Sequence, residues 1–121
     1  MAKWFVVFSV AALASTLAAH ALAHAHLDRA VPAVDSTLRE SPRELTLWFT
    51  QRLEPAFCSV RVTDLQGKRV DNNDAKVDGA DAKTLGVSLQ RLAPGTYRVQ
   101  WRVLSVDTHV SEGRFTFDVR P

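Results

Sequence analysis

Beyond residue 25 the chain alternates apolar and polar residues with a period of two, the signature of strands buried on one face. The clearest stretch is Tyr97-Arg98-Val99-Gln100-Trp101-Arg102-Val103. It places Tyr97, Val99, Trp101 and Val103 on one face and Arg98, Gln100 and Arg102 on the other. Leu45, Leu47 and Phe49 alternate in the same way, as do Cys58, Val60 and Val62, and Phe115, Phe117 and Val119. Leu85 to Leu89 predicts a further strand, and His26 to Val31 is a candidate for the first. Turn chemistry separates these runs: Pro32, Ser41-Pro42, Gln66-Gly67 and Pro94-Gly95. Asp71 to Asp74 and Asp78-Gly79 read as one polar loop between two strands. No stretch keeps a helical period for more than a turn or two. Six or seven short strands over about 100 residues predict a β-sandwich or a small Greek-key barrel.

The first 23 residues follow a different pattern. Lys3 precedes an apolar run from Trp4 to Ala14, and Ala21-Leu22-Ala23 closes the stretch with small residues. A basic start, an apolar middle and an A-x-A end describe a secretory signal peptide. The expected division is therefore a signal peptide at 1–23 and a single domain at 24–121. Cleavage after Ala23 removes 23 of 121 residues and leaves 98. Lys3 goes with the leader, so the formal charge falls from +2 to +1. Met1 goes too, and no other methionine exists.

Composition narrows the function. Hydrophobic residues make up 46% of the chain and charged residues 23%, which suits a globular domain. With 15 basic and 13 acidic side chains, and no run of Lys or Arg along the sequence, nothing points to nucleic acid. The single cysteine excludes an intrachain disulfide and a cysteine-based zinc finger. Cys58 is in phase with Val60 and Val62 and reads as a small core hydrophobe. Tyr97 and Trp101 read as core, and Asp78 and Asp81 do not match a calcium loop.

The candidate chemistry lies in two clusters that hold every histidine of the processed chain. The first is His24-Ala25-His26 at the new N-terminus. A free amine and the Nδ1 of its own imidazole can chelate one metal, and nitrogen-rich tetragonal sites suit Cu(II). A histidine in the third position can instead bind Cu(II) with the amine and backbone amides. The two modes compete, and both remain open at this point. The second cluster is Asp107-Thr108-His109, whose carboxylate and imidazole share a side in extended backbone. Such a pair is half of a transition-metal site, although a D-x-H triplet alone also fits a hydrogen-bonded loop. No nucleophile triad, phosphate loop or paired catalytic carboxylates stand out.

These residues, in their surroundings, resemble the CopC/YobA family of periplasmic copper resistance proteins. The resemblance rests on His24-Ala25-His26-Leu27 with Pro32-Ala33, on Leu47-Trp48-Phe49-Thr50, and on Pro94-Gly95-Thr96-Tyr97. Its strongest part is Trp101 to His109, continuing to Gly113 and Phe115-Thr116-Phe117. It implies an immunoglobulin-like Greek-key β-sandwich of about seven strands with one Cu(II) site. The ligands it implies are the amine and ring of His24, with Asp107 and His109. His26 matches a subgroup in which the third residue also ligates. Many members carry Glu where this chain has Gln51, so Asp107 becomes the one anionic side chain at the expected positions; Glu54 falls out of register. Some relatives hold Cu(I) in a methionine-rich loop, and a mature chain without methionine predicts no such second site. The implied role is a monomeric, non-enzymatic periplasmic copper carrier or buffer, with an inner-membrane transporter of the CopD type as possible partner. The alternatives are a copper-dependent oxidative enzyme with an N-terminal histidine brace and a metal-independent secreted interaction module.

Overall fold

The computed structural model describes residues 25–121, so the signal-peptide assignment and His24 lie outside the described residues. Among the described residues eight strands form two four-stranded sheets. They are β1 (Leu27–Val31), β2 (Thr37–Leu38), β3 (Glu44–Phe49), β4 (Ser59–Asp64), β5 (Lys76–Asp78), β6 (Thr84–Ser88), β7 (Gly95–Leu104) and β8 (Val110–Val119). One sheet runs β1-β3-β6-β5 and the other β2-β8-β7-β4. Every pairing is antiparallel except that of β2 with β8, where Thr37 faces Asp118 and Leu38 faces Val119. With β2 read as the first strand crossing to the second sheet, the other seven follow the two-sheet partition of an immunoglobulin-type sandwich.

The alternation in the sequence becomes the core. Leu45, Leu47, Val62, Val99 and Val103 are fully buried, and Phe117, Leu85 and Val60 nearly so. Each points inward from its strand while its sequence neighbours point to solvent. The long β7–β8 hairpin sets the register of the second sheet, pairing Tyr97 with Phe117 and Trp101 with Gly113. Tyr97 stacks on Phe117 at 5.7 Å, and its hydroxyl donates to the carbonyl of Ala93. That contact is the tyrosine corner of immunoglobulin-type domains, which pins the turn entering the sixth of the seven main strands. Cys58 is half-buried against the core, with its thiol directed at the Glu54 carbonyl at 3.2 Å. Burial pushes the thiol up from its usual range.

Two short strands differ from the sequence reading. β5 lies inside the stretch read as a polar loop, and β2 lies between two turns. Lys76-Val77-Asp78 carries one apolar residue, too few for a periodic signal, and is held by pairing to Thr84–Gly86 on β6. Sheet hydrogen bonds, not side-chain pattern, make these edges.

Asp71 is a buried carboxylate that ties the sheets' margins together. Its Oδ2 accepts from the Val62 amide at 2.8 Å, and its Oδ1 from the Asn73 amide and the Arg69 Nε, each at 2.8 Å. Asp71→Ala strands the Val62 N–H in the interior and leaves Arg69 without its counterion. A loss of about 3 kcal/mol is expected in denaturant unfolding. A loss under about 1 kcal/mol would show that water replaces the carboxylate.

Candidate metal centre

One end of the sandwich gathers three segments that are distant in sequence. The first is the entry to β1. Ala25 is fully buried there, and exposed His26 is fixed by two backbone contacts to Thr50. The His26 amide donates to Thr50 Oγ1 and the Thr50 amide donates to the His26 carbonyl, both at 3.0 Å. The second segment is the exit of β3. It leads from Thr50 through half-buried Gln51 to Leu53, which is buried and forms a bridge with Ser105. The third is the turn between β7 and β8. The Val106 amide donates to Arg52 at 3.0 Å, and the Glu54 amide to Leu104 at 2.9 Å. The β3 exit therefore grips both the His26 segment and the turn carrying Asp107 and His109.

That turn is tightly built. The Ser105 amide donates to the His109 carbonyl at 3.0 Å, and the Thr108 amide to the Ser105 carbonyl at 2.9 Å. Thr108 takes a left-handed φ of 73°, rare for a β-branched residue and held there by the hydrogen bonds around it. The fully buried Ser105 donates its hydroxyl to Asp107 Oδ1, and the His109 amide approaches the same oxygen at 3.3 Å. The other carboxylate oxygen, Oδ2, stands 3.3 Å from Nδ1 of His109. The Ser105 hydroxyl, helped by the His109 amide and ring, holds the Asp107 carboxyl below the usual carboxylate range, against a smaller opposing effect of desolvation. Asp107 is thus an anion aimed at the imidazole, with both side chains partly open to solvent.

The structure thus brings Asp107 and His109 into contact and places His26 at the same end. A hollow of about 460 Å³ is lined by Ala25, His26 and Leu27 at the entry to β1 and by Trp101, Val110 and Glu112 from the β7–β8 hairpin. His26 and Val110, the residue that follows His109, thus line the same hollow. Among the described residues no three His, Cys, Asp or Glu side chains meet as a complete metal cage. Trp101, expected in the core, is half-buried with its ring edge-on to Phe49 at 5.0 Å, beneath this hollow. Sequence reasoning missed Ser105 and Thr50, the two hydroxyl residues that fix the turn and the β1 entry. The Ser-x-Asp spacing was the available signal, since such pairs close side-chain turns.

The features together define a class: an immunoglobulin-type β-sandwich with a carboxylate–histidine turn and a second histidine gathered at the end where β1 begins. Within that class the chain belongs to the CopC family, whose CopC-domain model matches residues 27–120. It is similar to Protein YobA of Escherichia coli (strain K12), 36% identical over 99 residues covering 81% of this chain and 80% of that protein. Its fold is similar to the crystal structure of CopC from Methylosinus trichosporium OB3b, with a TM-score of 0.76 and 36% identity over 81% of this chain and 95% of that one. It is also similar to PcoC, a methionine-rich copper resistance protein from Escherichia coli, with a TM-score of 0.67 and 34% identity over 81% of this chain and all of that one.

Proposed function

We propose that the protein is a periplasmic Cu(II)-binding protein that carries or buffers copper for resistance or homeostasis. Its cargo is one Cu(II) ion, held by the amine and ring of His24, Asp107 and His109, with His26 as a further ligand. The observation that carries this reading is the placement of Asp107 beside His109 at the end where β1 begins. Donors bound to one metal at about 2.0 Å sit roughly 2.8–3.3 Å apart. The 3.3 Å between Asp107 Oδ2 and His109 Nδ1 is that spacing. Ala25, packed in the core at this end, is the residue next to His24.

The donor set also favours the oxidised ion. Imidazole, amine and carboxylate suit Cu(II), whereas Cu(I) prefers thiolate and thioether sulfur. The chain has no methionine beyond Met1, and the Cys58 thiol is turned to the Glu54 carbonyl and the core. With five donors on one ion little room remains for a substrate, which favours a carrier over an oxidative enzyme. Release to an inner-membrane transporter of the CopD type is the use that such a carrier serves.

The test is a Cu(II) titration followed by electron paramagnetic resonance on two preparations, one starting at His24 and one with an extra residue ahead of it. One-to-one binding with a nitrogen-rich tetragonal spectrum, lost or altered by the extension, is expected. Equal binding by both would remove the amine from the site, and no specific binding by either would favour a metal-independent interaction module.

Protons compete with copper for the amine and the imidazoles, so affinity is expected to fall as the pH drops below about 6. Asp107, held below the usual carboxylate range mainly by Ser105, stays ionised through that window. The loss therefore belongs to the nitrogen ligands, and constant affinity from pH 7 to pH 5 would exclude them.

A further inference from the structure

The sequence has no basic run, yet the register of the second sheet builds a basic face. Arg61 on β4 lies opposite Gln100 on β7, which lies opposite Arg114 on β8. In the neighbouring rows Arg98 stands between Thr63 and Thr116, and Arg102 between Ser59 and Glu112. All four arginines point outward and are exposed. None of them forms an ion pair with a carboxylate among the described residues; the recorded pairs involve Arg69, Lys76, His109 and Arg120. The carboxylates on and beside this face are Glu112 opposite Arg102, Asp118 in the row beyond Arg98, and Asp35.

The face is concave. A hollow of about 690 Å³ holds Arg61, Arg102 and Arg114, walled on one side by Arg69 and Asn73 from the loop after β4. A second hollow of about 550 Å³ holds Arg98 and shares Gln100 and Arg114 with the first, so the two form one furrow. Its other end reaches Trp101 and Glu112, which also line the hollow containing His26. None of the exposed large hydrophobic residues, such as Phe57 or Val110, lines the furrow.

We infer that this arginine furrow docks an acidic segment of a partner protein. Guanidinium groups present planar forks that pair bidentately with carboxylates, and the four charges here are all Arg. The furrow is walled by charged and polar side chains, with Val60, Trp101 and Phe115 buried or half-buried at its floor, and this shape suits an inserted chain carrying carboxylates better than a flat lipid surface. Because the furrow runs into the candidate metal end, a bound partner sits beside the copper. That use rests on the proposed copper role; the docking itself does not.

The test is a nuclear magnetic resonance titration of the isotope-labelled, copper-free protein with a short peptide of alternating glutamate and threonine. Saturable shifts centred on Gln100 and its row, weakening with added salt, are expected. R61E/R114E is expected to weaken binding at least about tenfold, while R39E/R91E, with the same change of net charge elsewhere, leaves it unchanged. If charge reversal disturbs the sheet, R61Q/R114Q carries the same test with a smaller loss. Absence of saturable shifts would overturn the inference, and so would equal weakening by both double variants. Binding to phosphatidylglycerol vesicles without binding to the peptide would overturn it in favour of a membrane. Cu(II) titrations of the same samples separate the two readings: peptide binding without copper binding would sink the proposed function and leave the furrow's role standing.

Discussion

His109→Ala is expected to weaken Cu(II) binding by at least about a hundredfold while leaving the sandwich folded. Even residues that only support a ligand typically cost 10–100-fold when replaced, so the loss of a proposed ligand imidazole is expected to reach at least the top of that range. The fold is spared because the hydrogen bonds that close the turn are made by the His109 backbone, and the ring adds a contact to the partly exposed Asp107 carboxylate. The His109 carbonyl accepts from the Ser105 amide and its own amide approaches Asp107, and alanine keeps both. A chelator-competition measurement reads the affinity, and the melting temperature checks the fold. Affinity within about threefold of the parent would remove His109 from the ligand set. Asp107→Asn gives a sharper comparison, since it keeps an oxygen for the Ser105 hydroxyl and deletes the charge.

Gly113→Val is expected to destabilise the domain by about 3 kcal/mol or more. Gly113 is directly opposite Trp101 in the β7–β8 ladder, and a Cβ at this position would run into the indole ring. The ring cannot swing away freely because Phe49 abuts it edge-on at 5.0 Å. Overpacking of this kind costs roughly 1–3 kcal/mol where the core can adjust, and more when a rigid ring must move together with its neighbours. Chemical denaturation measures the loss. Because Trp101 also lines the hollow beside His26, its fluorescence in the variant should shift as the indole is displaced. A change under about 1 kcal/mol with unaltered emission would mean that the indole has a second seat.

The strands that could be read from the sequence were those whose alternation ends in the core. Leu45, Leu47 and Phe49 on β3, and Tyr97, Val99 and Val103 on β7, are buried as their period requires. β2 and β5 were not legible, because edge strands of two and three residues are selected by hydrogen bonding to a neighbour already in place. The site was legible in part. Histidines crowded into two short clusters marked Asp107, His109 and His26, and the structure sets the first two 3.3 Å apart. Ser105 and Thr50 carried no comparable mark, since their role is to hold other residues still.

The sequence by itself determined the all-β class and most of the strand residues that fill the core, and it offered the candidate nitrogen and oxygen donors. These follow from local periodicity and side-chain chemistry, which need no knowledge of the chain's path. The tertiary structure alone decided which segments meet. It gripped the His26 entry and the Asp107–His109 turn through one exit of β3, and set Trp101 beneath their hollow. It also turned four arginines, none adjacent in sequence, into a single furrow. Strand register places residues from distant parts of the chain side by side about every 4.8 Å across a sheet. No count of charge along the chain carries that information.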